Sequence, residues 1–319
     1  MDPDERTIDT HSARIEIAFG CDAGYLQPLT IAISSVLTSA RDASKLRFWL
    51  VTKSLDEKEL SPLRKIIEQV GAQLETRTPV SDAAVEKMPL GEHFTEATYY
   101  RLMLPQLVPA EVSKLIYLDS DVIVRHPIEE LWSINLGQCS TGAVWNPRPL
   151  NHERLGLSRE ADYFNAGVLL MNLERWRDES IHTRAMQFAI QPGLELPCAD
   201  QDALNHVLAG VWKRLDLRWN QQTKFFDHSA SYLRVPWLTL RRARSAPYIV
   251  HYSANTKPWH TASDHPWRDL YFEQLDQTHY RGWRPATPPA NTHAVKRRDQ
   301  DVNRRWRQRA RALKSLFSR

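Results

Sequence analysis

Two aspartates close an apolar run in Lys114-Leu-Ile-Tyr-Leu-Asp-Ser-Asp-Val-Ile-Val-Arg125. Alternate side chains share a face on an extended chain, so Asp119 and Asp121 are expected to point the same way. Two carboxylates at the end of a buried strand repel each other unless a cation lies between them. Their hard oxygens suit a divalent metal, for which a diphosphate is a natural co-ligand. His251 ends a second apolar run, Tyr248-Ile-Val250, and neutral imidazole is a competent ligand for a borderline metal such as Mn2+. Lys257, in Lys257-Pro-Trp259, offers a charge that would steady a departing phosphate.

Three other clusters carry polar groups where an α/β fold places ligands. Asp22 and Tyr25 follow the first apolar run in Phe19-Gly-Cys-Asp-Ala-Gly-Tyr25, where a carboxylate accepts from a base N–H and a ring stacks on a base. Asn165 enters the apolar run Ala166 to Met171 beside Gly167, so its amide needs a partner. Asp200-Gln201-Asp202 opens a helical stretch; capping accounts for one acid there more easily than for the whole polar trio. Asp119-Ser-Asp121-Val122 also matches, locally, the nucleophile motif of haloacid-dehalogenase-type phosphatases, with Asp119 attacking. That motif belongs on the first strand of a domain, whereas here about 100 residues precede it.

The elements that position these groups alternate between strand and helix, which predicts a mostly parallel sheet flanked by helices. Strands are expected at Ile15–Phe19, Arg47–Val51, Gln73–Glu75, Lys114–Leu118, Gly167–Met171 and Tyr248–Val250, and helices at Gln27–Thr38 and Asp200–Leu208. Ser54 with Glu57 reads as a capping box opening a helix to about Val70.

The chain has 319 residues, 42% hydrophobic and 25% charged, an ordinary globular composition. No apolar run approaches the roughly 20 residues that cross a bilayer, and the polar segment 1–13 does not read as a secretory signal. Cys21, Cys139 and Cys198 show no metal-ligand spacing and read as reduced cytosolic thiols. Residues 284–295 hold three prolines and read as a linker. Beyond it, 296–319 carry ten Lys/Arg and two Asp, with Trp306, Ala310, Leu313 and Phe317 at helical spacing. A basic amphipathic helix of this kind suits an anionic membrane surface, with electrostatic binding of nucleic acid as the rival.

In order, Tyr100-Arg101-Leu102, Leu118-Asp-Ser-Asp121, Tyr163-Phe-Asn-Ala-Gly167, Asp200-Gln-Asp202 and His251 through Lys257-Pro-Trp259 resemble the family 8 retaining glycosyltransferases, and among them the bacterial lipooligosaccharide and lipopolysaccharide α-galactosyltransferases. The resemblance implies a GT-A fold over residues 14–283: an α/β/α sandwich with a mixed, mostly parallel sheet, binding a UDP-sugar at its strand ends. Asp119, Asp121 and His251 would hold Mn2+, with Mg2+ as the alternative. Gly20, Asp22, Tyr25, Arg101, Ser120, Asn165 and Lys257 would contact the donor, and Asp200 and Gln201 would stand at the reacting carbon. An amide such as Gln201 is a poor nucleophile, which favours front-face attack over a covalent sugar–enzyme intermediate. The implied reaction moves galactose or glucose to a hydroxyl of a lipopolysaccharide-type glycan at the inner face of the cytoplasmic membrane. Ala254 replaces a glycine and Gly24 a frequent asparagine, while Asn146 stands where the galactosyltransferases have an aspartate of the galactosyl pocket, which leaves glucose or an N-acetylhexosamine open beside galactose.

Overall fold

The computed structural model describes residues 14–79, 95–147, 153–158, 161–191 and 193–286. The segments 1–13 and 296–319, and most of 284–295, lie outside the described residues. The chain divides into two compact units, Met1–Ser253 and Ala254–Arg319.

In the first unit the strands are β1 (Ile15–Gly20), β2 (Leu46–Val51), β3 (Gln73–Arg77), β4 (Lys114–Leu118), β5 (Val122–Val124), β6 (Thr141–Trp145), β7 (Phe164–Asn172), β8 (Trp212–Arg214), β9 (Gln221–Gln222) and β10 (Ile249–His251). Seven form one sheet in the order β3-β2-β1-β4-β7-β6-β8. The pairs along β3-β2-β1-β4 are parallel, β7 is antiparallel to both β4 and β6, and β8 runs parallel to β6. A small second sheet has the order β5-β10-β9.

Both faces of the large sheet are covered, and strict alternation along the strands explains why. Ile17 and Phe19 of β1, Ile116 and Leu118 of β4, and Val168 and Leu170 of β7 pack with the helices Leu26–Ser39 and Glu57–Gln69. Their neighbours Ala18, Leu115, Tyr117, Leu169 and Met171 pack on the other side with Tyr100–Leu107, Leu173–Asp178, Ile181–Ala189 and Asp200–Val207. A sheet buried on both faces reads as nearly continuous apolar runs, as β1, β2 and β4 do.

The expected elements are present, with shifts at their ends. The capping box is Asp56 with Glu59, not Ser54 with Glu57: Asp56 accepts from the Glu59 N–H at 2.8 Å and the Glu59 carboxylate answers at the Asp56 N–H at 2.9 Å. Ser54 Oγ instead accepts from the Ala23 N–H at 2.9 Å, tying the loop after β2 to the loop after β1. In the second unit, helix Arg268–Leu275 is held to the preceding turn by Arg268 Nε donating to Pro258 O at 3.1 Å. Among the described residues no helix is long and apolar enough to cross a membrane.

The direction of chain travel across the sheet reverses between β1 and β4, which are parallel neighbours. At such a switch point the two following loops part and leave a crevice beyond the strand ends.

Candidate active site

The residues after β1 and β4 open into that crevice, and Ser120 Oγ donates to Gly20 O at 3.3 Å across it. The Asp119 N–H donates to Gly167 O at 2.8 Å, extending the β4–β7 ladder past the strand end. Asp119 and Asp121 converge as expected, but not through strand alternation: Ser120 and Asp121 form a turn between β4 and β5. The small sheet supplies the third group. His251 pairs antiparallel with Val122, and the Tyr252 N–H donates to Asp121 O at 3.0 Å. His251 Nε2 therefore lies 3.3 Å from Asp121 Oδ1 and 3.7 Å from Asp119 Oδ2. One ligand atom from each residue falls within 4.8 Å of the others.

The donor set is two carboxylates and an imidazole, the chemistry that suits Mn2+ and related divalent ions. The backbone leaves room for such an ion. A Cβ on Gly167 would stand 2.3 Å from His251 Cε1 and 2.6 Å from Asp119 Oδ2. The group fits the site.

Beside the acids, the buried Arg101 of helix Tyr100–Leu107 reaches three ways. Its Nη2 is 3.1 Å from Asp119 Oδ1, its Nη1 donates to Ala166 O at 2.6 Å, and its guanidinium lies 4.6 Å over the Tyr117 ring. Burial pulls this guanidinium down, but Asp119 and Asp200 hold it above its ordinary value. Arg101 Nε is 2.7 Å from Asp200 Oδ2, yet the Nε–H bonds Thr98 O at 3.2 Å. Asp200 Oδ2 is thus a buried carboxylate oxygen in an ion pair but without a hydrogen bond. Burial pushes the Asp200 carboxyl up to about 7, Arg101 opposing and Asp119 adding to the shift.

Ala199 presents Asp200 and Gln201 from a backbone at φ 48°, ψ −120°. A non-glycine residue there is strained, and such strain collects where a fold must aim a side chain. Gln201 Oε1 accepts from Asn165 Nδ2 at 2.9 Å and from the Ala166 N–H at 3.0 Å, and its Nε2 donates to Tyr163 Oη at 2.9 Å. Tyr163 Oη donates to Asp202 Oδ1 at 2.6 Å, and the Cys198 N–H donates to Asp202 Oδ2 at 2.8 Å. Sequence reasoning passed over Asn220, which is fully buried. Its Nδ2 donates to Asn165 Oδ1 at 2.7 Å and its Oδ1 lies 2.8 Å from His251 Nδ1.

Asp22 does not cap the turn that follows it; its Oδ2 accepts from Thr95 Oγ1 at 2.7 Å. Tyr25 is 37% exposed at the end of the β1 loop. A Cβ on Gly20 would meet Ala97 O at 2.9 Å, so the loop packs closely on the start of the helix bearing Arg101. Asn146, past the end of β6, takes a hydrogen bond from Lys224 Nζ. The first unit thus brings together Gly20, Asp22, Tyr25, Arg101, Asp119, Ser120, Asp121, Asn165, Asp200, Gln201 and His251 along the strand ends that bound the crevice. Lys257 belongs to the second unit, in a turn where its N–H donates to His260 Nδ1 at 3.2 Å.

Comparison with known proteins extends this picture. Residues 16–263 match the sequence model of glycosyl transferase family 8. General stress protein A of Bacillus subtilis (strain 168) is 30% identical over 283 residues, covering 84% of this chain and 94% of that protein. Lipopolysaccharide 1,2-glucosyltransferase of Escherichia coli (strain K12) is 24% identical over 280 residues, covering 86% of this chain and 80% of that protein. The crystal structure of galactosyltransferase LgtC in complex with donor and acceptor sugar analogues superposes with a TM-score of 0.70 at 26% identity, over 86% of this chain and 98% of that one. The mixed, mostly parallel sheet between helices is the GT-A arrangement of that structure.

Proposed function

Because the chain belongs to glycosyl transferase family 8 and is a retaining hexosyltransferase, we propose that it takes galactose or glucose from a UDP-sugar and delivers it to a hydroxyl of a lipopolysaccharide-type glycan. The observation that carries the site assignment is the convergence of Asp119, Asp121 and His251 at the strand-order switch, with Arg101 and Asp200 beside them. The glycan class is supported by the lipopolysaccharide 1,2-glucosyltransferase and 1,3-galactosyltransferase among the relatives.

Each residue has a task on this reading. Asp119, Asp121 and His251 hold a divalent cation, Mn2+ or Mg2+. When bound, that cation neutralises charge on the diphosphate and eases departure of UDP. Asp22 and Tyr25 receive the uracil, Gly20 lets the end of β1 pack against Ala97 and Tyr100 beneath them, and Ser120 ties the ends of β1 and β4 together. Arg101 balances Asp119 and Asp200, and the pair stands beside the donor sugar. Gln201 stands at the reacting carbon as a positioning amide. Both lone pairs of its Oε1 are engaged by Asn165 and the Ala166 N–H, which weighs against nucleophilic attack by that oxygen and favours front-face transfer. Lys257 steadies the departing phosphate, a role resting on its motif alone.

The phosphohydrolase alternative lacks support. Asp119 follows the fourth strand rather than the first, and its Oδ1 is held by Tyr117 Oη at 3.0 Å and by Arg101, a poor posture for a nucleophile.

Work at the cytoplasmic face of the membrane is part of the same proposal, through the basic amphipathic segment 296–319. Among the described residues, Trp237 and Leu238 support it: they are 55% and 58% exposed on a helix that also carries Arg241, Arg242 and Arg244.

The direct test is donor hydrolysis. The protein is incubated with Mn2+ and a panel of UDP-sugars, and released UDP is measured beside Asp121→Asn and His251→Ala. Release from one UDP-hexose, lost in both variants, is expected. Absence of release from every sugar, with phosphate freed from a simple phosphoester instead, would overturn the proposal.

A further inference from the structure

Backbone groups fix the direction of every hydrogen bond between His251 and Gln201. A backbone N–H can only donate, so the Gly167 N–H, 3.0 Å from the Asn165 amide, identifies the atom it meets as Oδ1. The Asn220 atom 2.7 Å from that same oxygen must then be its NH2 group. The other Asn220 amide atom is therefore oxygen, and it faces His251 Nδ1 at 2.8 Å. An amide oxygen accepts, so Nδ1 carries the proton, and the Nε2 side of the ring is the one turned towards Asp119 and Asp121, where its lone pair would meet a cation. Independently, the Ala166 N–H at 3.0 Å identifies Gln201 Oε1. Asn165 Nδ2 must then donate to it, as the 2.9 Å contact shows. Two backbone amides of β7 thus impose the same one-way order, His251 to Asn220 to Asn165 to Gln201, which continues through Tyr163 to the Asp202 carboxylate. Directed chains of this kind hold their members in a single orientation.

We propose that Asn220 is a positioning residue that serves both ends of the site at once. Its carbonyl holds His251 in the Nδ1–H tautomer required of an Nε2 ligand, and its NH2 group sets Asn165 and hence the Gln201 amide. Partners that orient metal-binding histidines in this way are worth about 10–100-fold in affinity or activity. The assignment of the cation to Asp119, Asp121 and His251 rests on the functional reading above, but the tautomer follows from the hydrogen bonds alone.

Two substitutions separate the two tasks. Asn220→Asp keeps an acceptor for His251 but sets an oxygen against Asn165 Oδ1. Asn220→Leu removes both partners at similar size. Histidine tautomers are read in the metal-free protein by long-range proton–nitrogen correlation, with His251→Gln assigning the signal. Mn2+ affinity is read by calorimetry, and donor hydrolysis gives kcat and KM, with far-UV circular dichroism confirming the fold. Wild type is expected in the Nδ1–H form. Asn220→Asp should keep that tautomer and its Mn2+ affinity, while kcat drops by about tenfold or more and KM for the donor stays put. Asn220→Leu should lose the single tautomer and bind Mn2+ about 10–100-fold more weakly. An Nε2–H ring in the wild type, unchanged Mn2+ affinity in Asn220→Leu, or a wild-type kcat in Asn220→Asp would each overturn the proposal. If Asn220→Leu does not fold, the wild-type tautomer and the near-isosteric Asp variant decide. If the wild type releases UDP from no sugar, the transferase reading falls, while the tautomer and Mn2+ measurements still judge Asn220.

Discussion

Arg101 Nε lies 2.7 Å from Asp200 Oδ2, with both side chains almost wholly buried. The guanidinium is also the buried counter-charge to Asp119, so one cation balances two acids of the candidate site. Removing one partner of a buried pair leaves an uncompensated charge and costs about 3–5 kcal/mol. Arg101→Met is therefore expected to lower the unfolding free energy by that order, seen as a lower urea midpoint. Arg101→Lys should recover only part of it, because a single ammonium does not span Asp119, Asp200, Thr98 O and Ala166 O. Equal midpoints for wild type and Arg101→Met would show that the pair adds nothing.

Asp200 makes the metal-free fold sensitive to pH. Its carboxyl stands at about 7 in the folded protein against an ordinary 3.8. Between about pH 4 and 7 the unfolded chain releases this proton while the folded chain keeps it, so stability falls as pH rises across that window and the loss is complete above it. The shift corresponds to roughly 4 kcal/mol at most. Urea titrations at pH 5, 6, 7 and 8 should show the wild type losing stability relative to Asp200→Asn. Parallel profiles would refute the shift.

Gly167→Ala is the sharpest probe of the space between the acids and the imidazole. The new methyl would overlap His251 Cε1 at 2.3 Å, and His251 is tethered at Nδ1 to buried Asn220, so it does not swing aside cheaply. Forced overpacking costs about 1–3 kcal/mol. The variant should fold, melt lower and bind Mn2+ at least about tenfold more weakly, at the low end of what displaced ligand support costs. Wild-type affinity by calorimetry would mean that the ion sits elsewhere.

Vesicle binding tests the membrane proposal. Deleting 296–319 should leave UDP release unchanged and lower co-sedimentation with phosphatidylglycerol vesicles; Trp237→Ser with Leu238→Ser should lower it further in the shortened chain. Both effects should weaken in high salt, since the attraction is partly screened. Undiminished sedimentation of the shortened chain would remove 296–319 from the proposal.

The sheet and the acid pair were legible in the sequence because strong local signals announced them. Lys114–Leu118 is apolar up to Asp119, and Tyr248-Ile-Val250 runs straight into His251. Helix Tyr100–Leu107 was not foreseen: it has eight residues, one of them Pro105, too short a window for periodicity to emerge. β6 was missed as well, its Thr-Gly-Ala-Val-Trp pattern carrying a glycine whose absent side chain leaves room for Leu136 and Leu215. The misplaced capping box came from reading spacing without backbone geometry, and Asp56 offered the same three-residue step. Asn220 gave no local sign, for Leu217-Arg-Trp-Asn220 has neither period nor motif. Its importance arises from long-range pairing with Asn165 and His251.

The candidate metal ligands come from two sheets, Asp119 and Asp121 from the link between β4 and β5 and His251 from the end of β10. Contacts between residues so distant in sequence close late in folding, because the intervening loops must be ordered first. During synthesis the chain would carry the acid pair long before its imidazole emerges. A cation would then find no complete binding site to nucleate around and would stabilise only the finished fold. At a concentration 100 times its dissociation constant, that linkage is worth about 2.7 kcal/mol. Metal supply would therefore govern how long the native protein survives rather than how quickly it forms.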